Sequence, residues 1–123
     1  MQPLALVLYQ KLLPGTQLVN RLQDLGWRVQ TLNEDTALTQ FAEEQKPMII
    51  IADLLSTRKN ICDAISNLRQ NQNTSHIPVI AFTAESDQKV FDGALKAGAN
   101  LVVSDTAILQ HLNQFIQQAL SEF

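Results

Sequence analysis

Pro47 is followed by Met48-Ile49-Ile50-Ile51-Ala52, a run without a single polar side chain before Asp53 closes it. A strand sends successive side chains to opposite faces, so a strand with no polar face must be covered on both sides. The run is strand-sized and far short of the roughly 20 apolar residues that a membrane-spanning helix needs. It therefore calls for a sheet sandwiched between helices.

The rest of the chain supplies such a sheet. Leu4 to Tyr9 is a second apolar run, read as a buried strand. Pro14-Gly15-Thr16 breaks the chain and opens a helix whose inward stripe is Leu18, Val19, Leu22 and Leu25, with Gly26 as its stop. Trp27 to Leu32 alternates apolar and polar residues, which marks an edge or half-exposed strand. Asn33 or Asp35 can cap a helix that carries Leu38, Phe41 and Ala42 on one face. After the central strand, Ile61, Cys62, Ile65 and Leu68 form another helical stripe, followed by the polar loop Asn71 to Ser75. Ile77 to Phe82 is a further buried strand, with Pro78 near its start, where a missing N–H costs least. Val90, Phe91, Ala94 and Leu95 mark a helix ended by Gly98, and Leu101 to Val103 form the last strand. Ser104 or Asp105 caps a final helix with Ile108, Leu112, Phe115, Ile116 and Ala119 inward. Five β-α units in succession predict an α/β fold: a five-stranded parallel sheet, doubly wound, with right-handed crossovers.

Residues 1–123 are expected to form a single domain, since no linker or low-complexity tract interrupts them. Hydrophobic residues make up 46% and charged residues 17%, which excludes a disordered chain. The net charge of −3 and the scattered basic residues argue against nucleic acid or an anionic membrane as a partner. One cysteine excludes an internal disulfide and fits a cytoplasmic location. Four unclustered glycines argue against a phosphate-cradling nucleotide loop.

Doubly wound sheets place their working site beyond the carboxyl ends of the strands, where the strand order reverses. That rule selects Tyr9, Gln10, Asp53, Thr83, Ser104 and Asp105. Asp53 is the only acid that directly ends a long apolar strand, and a carboxylate there is costly unless solvated or paired. It is either a working group or a solvated strand-end residue that caps the next loop.

The pattern resembles the receiver domain of bacterial two-component response regulators, a flavodoxin-like fold. The family's central signature is a Pro-headed apolar strand ending in the phosphorylated Asp, here Pro47 to Asp53. Its penultimate strand has its counterpart in His76-Ile-Pro-Val-Ile-Ala-Phe-Thr83-Ala84. Gly26-Trp27-Arg28-Val29 before strand two and Ala97-Gly98-Ala99 before strand five also match. The resemblance implies that Asp53 holds the phosphoacceptor position and Thr83 the switch position.

The same resemblance exposes departures. Active receivers end their first strand in two acids that hold Mg²⁺ with the acceptor, whereas this chain reads Leu8-Tyr9-Gln10-Lys11. Magnesium takes near-octahedral oxygen ligands, usually with one or two carboxylates, so Mg²⁺ is expected to bind weakly if at all. The family's lysine after strand five, which neutralises the phosphoryl oxygens, is replaced by Ser104 or Asp105. The Pro-Gly turn after the acceptor strand is replaced by Thr57-Arg58, and the aromatic switch residue by Leu101 or Val102. Removing one transition-state stabiliser typically costs on the order of 10²–10³ in rate. Lys11 either reaches toward Asp53, mimicking a bound cation, or is an exposed loop residue.

The expected function is two-component signal transduction by an atypical receiver, a pseudo-receiver that acts mainly through protein–protein contacts without Mg²⁺-dependent phosphorylation. A functional phosphoacceptor served by a histidine kinase and a small-ligand sensor are the rival readings. No catalytic residue, metal ligand or cofactor is assigned, and the chain is not expected to be an enzyme. Cys62 reads as a small core residue, and His76 and His111 as structural or surface residues without metal-ligand spacing. The expected partner is a signalling protein, a histidine kinase or a downstream effector. A homodimer is also open, although Gln110, Asn113, Gln114, Gln117 and Gln118 give the last helix an uncharged outer face.

Overall fold

A computed structural model of the protein describes residues 3–8, 12–32, 38–54, 61–83 and 88–121. Five strands form one sheet: β1 (Leu4–Leu8), β2 (Arg28–Leu32), β3 (Ile49–Asp53), β4 (Val79–Thr83) and β5 (Leu101–Ser104). All pairings are parallel and the spatial order is β2-β1-β3-β4-β5. The chain first steps from β1 to β2, then returns past β1 to β3 and continues outward. With right-handed crossovers, that reversal puts the first connecting helix on one face and the next three on the other.

The core shows this division. Ala5, Val7, Ile49, Ile51, Ile80 and Phe82 face one way, packed with Leu18 and Leu22 of α1 (Leu12–Asp24) and with Trp27. Ile108 of α5 (Asp105–Gln110) and Leu112, Ile116 and Ala119 of α6 (Leu112–Ser121) complete that side. Leu6, Leu8, Ile50, Ala52, Val79 and Ala81 face the other way. They meet Leu38 and Ala42 of α2 (Leu38–Gln45), Ala64, Ile65 and Leu68 of α3 (Ile61–Gln70), and Ala94 of α4 (Gln88–Ala97). Alternate residues of one strand thus feed two half-cores, as the two-residue period of a strand requires. β2 lies at one edge, with Arg28, Gln30 and Thr31 exposed.

Several local expectations need correction. Pro14 and Gly15 do not precede the first helix but lie inside α1, which begins at Leu12. Pro14 is the third helical residue, and the first four N–H groups of a helix have no intrahelical partner to lose. Leu25 is 44% exposed because it falls in the turn after α1, where Gly26 takes a φ of +92°. Leu95 is 51% exposed: the inward row of α4 is Val90, Ala94 and Ala97, and Leu95 is rotated about 100° from Ala94. Met48 is exposed and precedes the first residue of β3. The final helix is two helices, interrupted at His111 (φ −126°, ψ 30°). No Pro or Gly marks that break, and the inward row of Ile108, Leu112, Ile116 and Ala119 runs through it. Asn33 and Asp35, offered as caps for α2, lie outside the described residues, as does the side chain of Cys62.

At the amino-terminal end of the sheet, Arg69 in the last turn of α3 acts as a clasp. Its Nε donates to Gly98 O (2.9 Å), Nη1 to Ser75 O (2.8 Å) and Ile77 O (2.7 Å), and Nη2 to Asn100 Oδ1 (2.5 Å). Partial burial lowers the pKa of this guanidinium, which remains protonated. Asn100 Oδ1 also accepts from Val79 N (2.9 Å), so one amide joins the clasp to the start of β4. Thr74 is fully buried, and its hydroxyl donates to Leu68 O (2.7 Å). Asn71 donates through its side-chain amide to Glu43 Oε1 and accepts from Asn73 N (2.8 Å).

Candidate functional site

The carboxyl ends of β3, β4 and β5 lie side by side. Asp53 is the last residue of β3 and Thr83 of β4, and Ser104 ends β5. Thr83 and Ser104 are direct partners across adjacent strands, whereas Asp53 is paired with Phe82. The strand ends are held in register by Leu54 N donating to Phe82 O (2.8 Å). By strand alternation Asp53 continues the Ile49–Ile51 row, on the α1 side, and Thr83 continues the Val79–Ala81 row, on the α4 side. The three expected site residues of these strands therefore converge on one end of the sheet, with Asp53 aimed to the opposite face from the two hydroxyls.

All three are removed from solvent: Asp53 is 0% exposed, Thr83 2% and Ser104 8%. With Thr74 they are the buried polar residues among those described. Asp53 is engaged by a polar partner, yet its Oδ2 is buried and accepts no hydrogen bond among the described residues. Ser104 has a defined local role. Its extended backbone (φ −78°, ψ 158°) and its Oγ, accepting from Ala107 N at 3.0 Å, make it the N-cap of α5. The Ser104 and Thr106 hydroxyls also meet at 3.3 Å, a contact the sequence reasoning missed. Ser and Thr two residues apart around a cap were its only available signal.

Tyr9, Gln10 and Lys11 lie outside the described residues, as do Thr57 and Arg58 and the side chain of Asp105. The buried side-chain oxygens that the described residues bring to this end are the carboxylate of Asp53 and the hydroxyls of Thr83 and Ser104, with the exposed Thr106 hydroxyl beside Ser104. Among the described residues no group of three His, Cys, Asp or Glu side chains could hold a metal ion.

A doubly wound five-stranded parallel sheet with an acid ending its central strand is the frame expected from the sequence, and its observed order is β2-β1-β3-β4-β5. The family model of the response regulator receiver domain matches residues 15–117. The chain belongs to this family. Its receiver fold is shared with a protein assigned as a response regulator from Chloroflexus aurantiacus, at a TM-score of 0.90 and 20% identity, covering 98% of this chain and 99% of that one. The receiver domain of the sensor histidine kinase PA1611 from Pseudomonas aeruginosa follows at 0.87 and 22% identity, covering 98% and 99%. That structure has a magnesium ion coordinated in its active-site cleft. The chemotaxis response regulator CheY4 of Vibrio cholerae superposes at 0.84 with 17% identity, covering 98% and 100%. A search of curated proteins finds no significant match.

As a receiver domain the chain belongs to two-component signalling, whose receivers interact with histidine kinases and effectors. Among the described residues no helix is long and apolar enough to cross a membrane.

Proposed function

We propose that this receiver domain is a non-catalytic interaction module that signals without Mg²⁺-dependent phosphorylation of Asp53. The observation that carries the reading is the end of β5. Where the family places its phosphoryl-neutralising lysine, this chain has Ser104-Asp105, and Ser104 is committed to capping α5. A transferring phosphoryl group depends on positioned charge for its stabilisation. At this strand end the chain offers a hydroxyl and, next in sequence, an acid. The acid-free stretch Leu8-Tyr9-Gln10-Lys11 and the complete burial of Asp53 point the same way.

In this reading the partner is a signalling protein, a histidine kinase or an effector, bound through the surface in a cytoplasmic setting. The test is direct. The protein is incubated with Mg²⁺ and acetyl phosphate and weighed intact. The expected spectrum shows the unmodified mass alone. A stoichiometric phosphoryl adduct that disappears in Asp53→Asn would establish a working phosphoacceptor instead.

A further inference from the structure

At the opposite end of the sheet, a partly open cavity of about 520 Å³ lies between the end of α2 and the α3–β4 connection. Counting six residues of rise from Pro47 to Asp53, it is on the order of 20 Å from the acceptor position. Its volume falls within the roughly 300–1,000 Å³ of small-ligand sites. Pro47 and Ile77 line it but are themselves buried, so the accessible lining is mostly polar. Glu43 supplies a carboxylate and Lys46 an ammonium, and Gln72, Asn73 and His76 are exposed around them.

Two features distinguish this cavity from an ordinary surface dent. First, one of its walls is held by hydrogen bonds. The Asn71–Ile77 segment is held by Arg69 on Ser75 O and Ile77 O, by the Thr74 hydroxyl on Leu68 O, and by Asn71 on Glu43 and on Asn73 N. A preorganised wall avoids the ordering cost that a mobile one incurs on binding. Second, Lys46 sits at a φ of +50°, the only non-glycine among the described residues with a positive φ. Its N–H closes α2 on Ala42 O (2.9 Å), the position where glycine is the ordinary choice. A long cation stands where a glycine would be less strained, and local strain of this kind concentrates at ligand sites.

The charges decide the ligand class. A dianion such as phosphate would meet Glu43, and a metal cation would meet Lys46. A small molecule carrying both charges answers both Glu43 and Lys46. We propose that this cavity binds a free α-amino acid, its carboxylate toward Lys46 and its ammonium toward Glu43. The site is separate from Asp53 and holds whether or not that residue is ever phosphorylated.

The test is a titration followed by ¹H–¹⁵N spectra, with L-alanine, L-leucine, L-glutamine and L-phenylalanine as probes. At least one is expected to give saturable shifts at the Lys46, Asn73 and Ile77 amides. Its analogue lacking the amino group, and the one lacking the carboxyl group, should each bind roughly tenfold or more weakly, the worth of one charge-assisted contact. Glu43→Gln should weaken binding comparably. Lys46→Gly should raise the melting temperature while abolishing the shifts, so that lost binding cannot be ascribed to a damaged fold. No saturable shift with any probe, equal binding of the deaminated analogue, or full binding by Lys46→Gly would each overturn the proposal.

Discussion

Gly98 and Arg69 cannot be varied independently. Gly98 has a φ of +121°, and a Cβ built there would lie 2.5 Å from Arg69 Cγ. Gly98→Ala is therefore expected to cost about 1–3 kcal/mol, through both the left-handed backbone and the displaced arginine. Arg69→Ala removes four donated hydrogen bonds and leaves carbonyls of the turn short of partners, for a loss of about 2–3 kcal/mol. Arg69→Lys should recover only part of this, because an ammonium lacks the planar fork that reaches separate acceptors. Urea denaturation midpoints measure all three. Ser104→Ala, which removes the α5 cap, should cost about 1 kcal/mol by the same assay, and Ser104→Asp should restore most of it. Asp53 and Thr83 are legible in the sequence because each ends an apolar run. Arg69 is not: its partners Gly98 and Asn100 lie 29 and 31 residues on, and no local pattern announces so distant an acceptor.

At the scale of elements, legibility depends on periodicity. β3 and β4 stand out as unbroken apolar runs because both their faces are covered, and all five residues of each are buried. β2 stands out for the opposite reason, since Arg28 and Gln30 are exposed beside the partly buried Val29. The helix stripes read correctly where the apolar residues recur every three or four positions, as in Leu18 and Leu22 or Ile65 and Leu68. They mislead where a leucine stands next to the row, as Leu95 does beside Ala94, because hydrophobicity alone cannot say where solvent begins. The start of α1 is hidden because Pro and Gly look like breakers, although the first turn of a helix tolerates both. Ile51→Ala, in the middle of the central strand, should cost about 2–5 kcal/mol in chemical denaturation, as deletion of a fully buried branched side chain does.

For the whole molecule, the two half-cores share a single sheet, and every strand between the edges contributes to both. Neither half retains a sheet to pack against if the other is lost. Trp27, 9% exposed, reports on the side formed with α1, α5 and α6, whereas far-UV circular dichroism reports on all helices. The two signals are expected to trace the same urea transition with one midpoint and one slope. Separate midpoints would show that the faces unfold independently. The site is split across the same architecture. Its strand-end residues follow from topology, which the succession of apolar runs already dictates. Tyr9, Gln10 and Asp105 follow from the same strand-end rule and Lys11 from the family resemblance, and residues 9–11 and the Asp105 side chain lie outside the described residues.

The arginine clasp also bears on how the protein meets a protease. Trypsin must draw an arginine side chain out into its own specificity pocket and pull the adjoining backbone straight. Arg69 is spread over Gly98, Ser75, Ile77 and Asn100 from within a helix, so neither movement is available in the folded chain. Limited digestion should therefore spare the bond after Arg69, and nicking there would mark molecules that have opened.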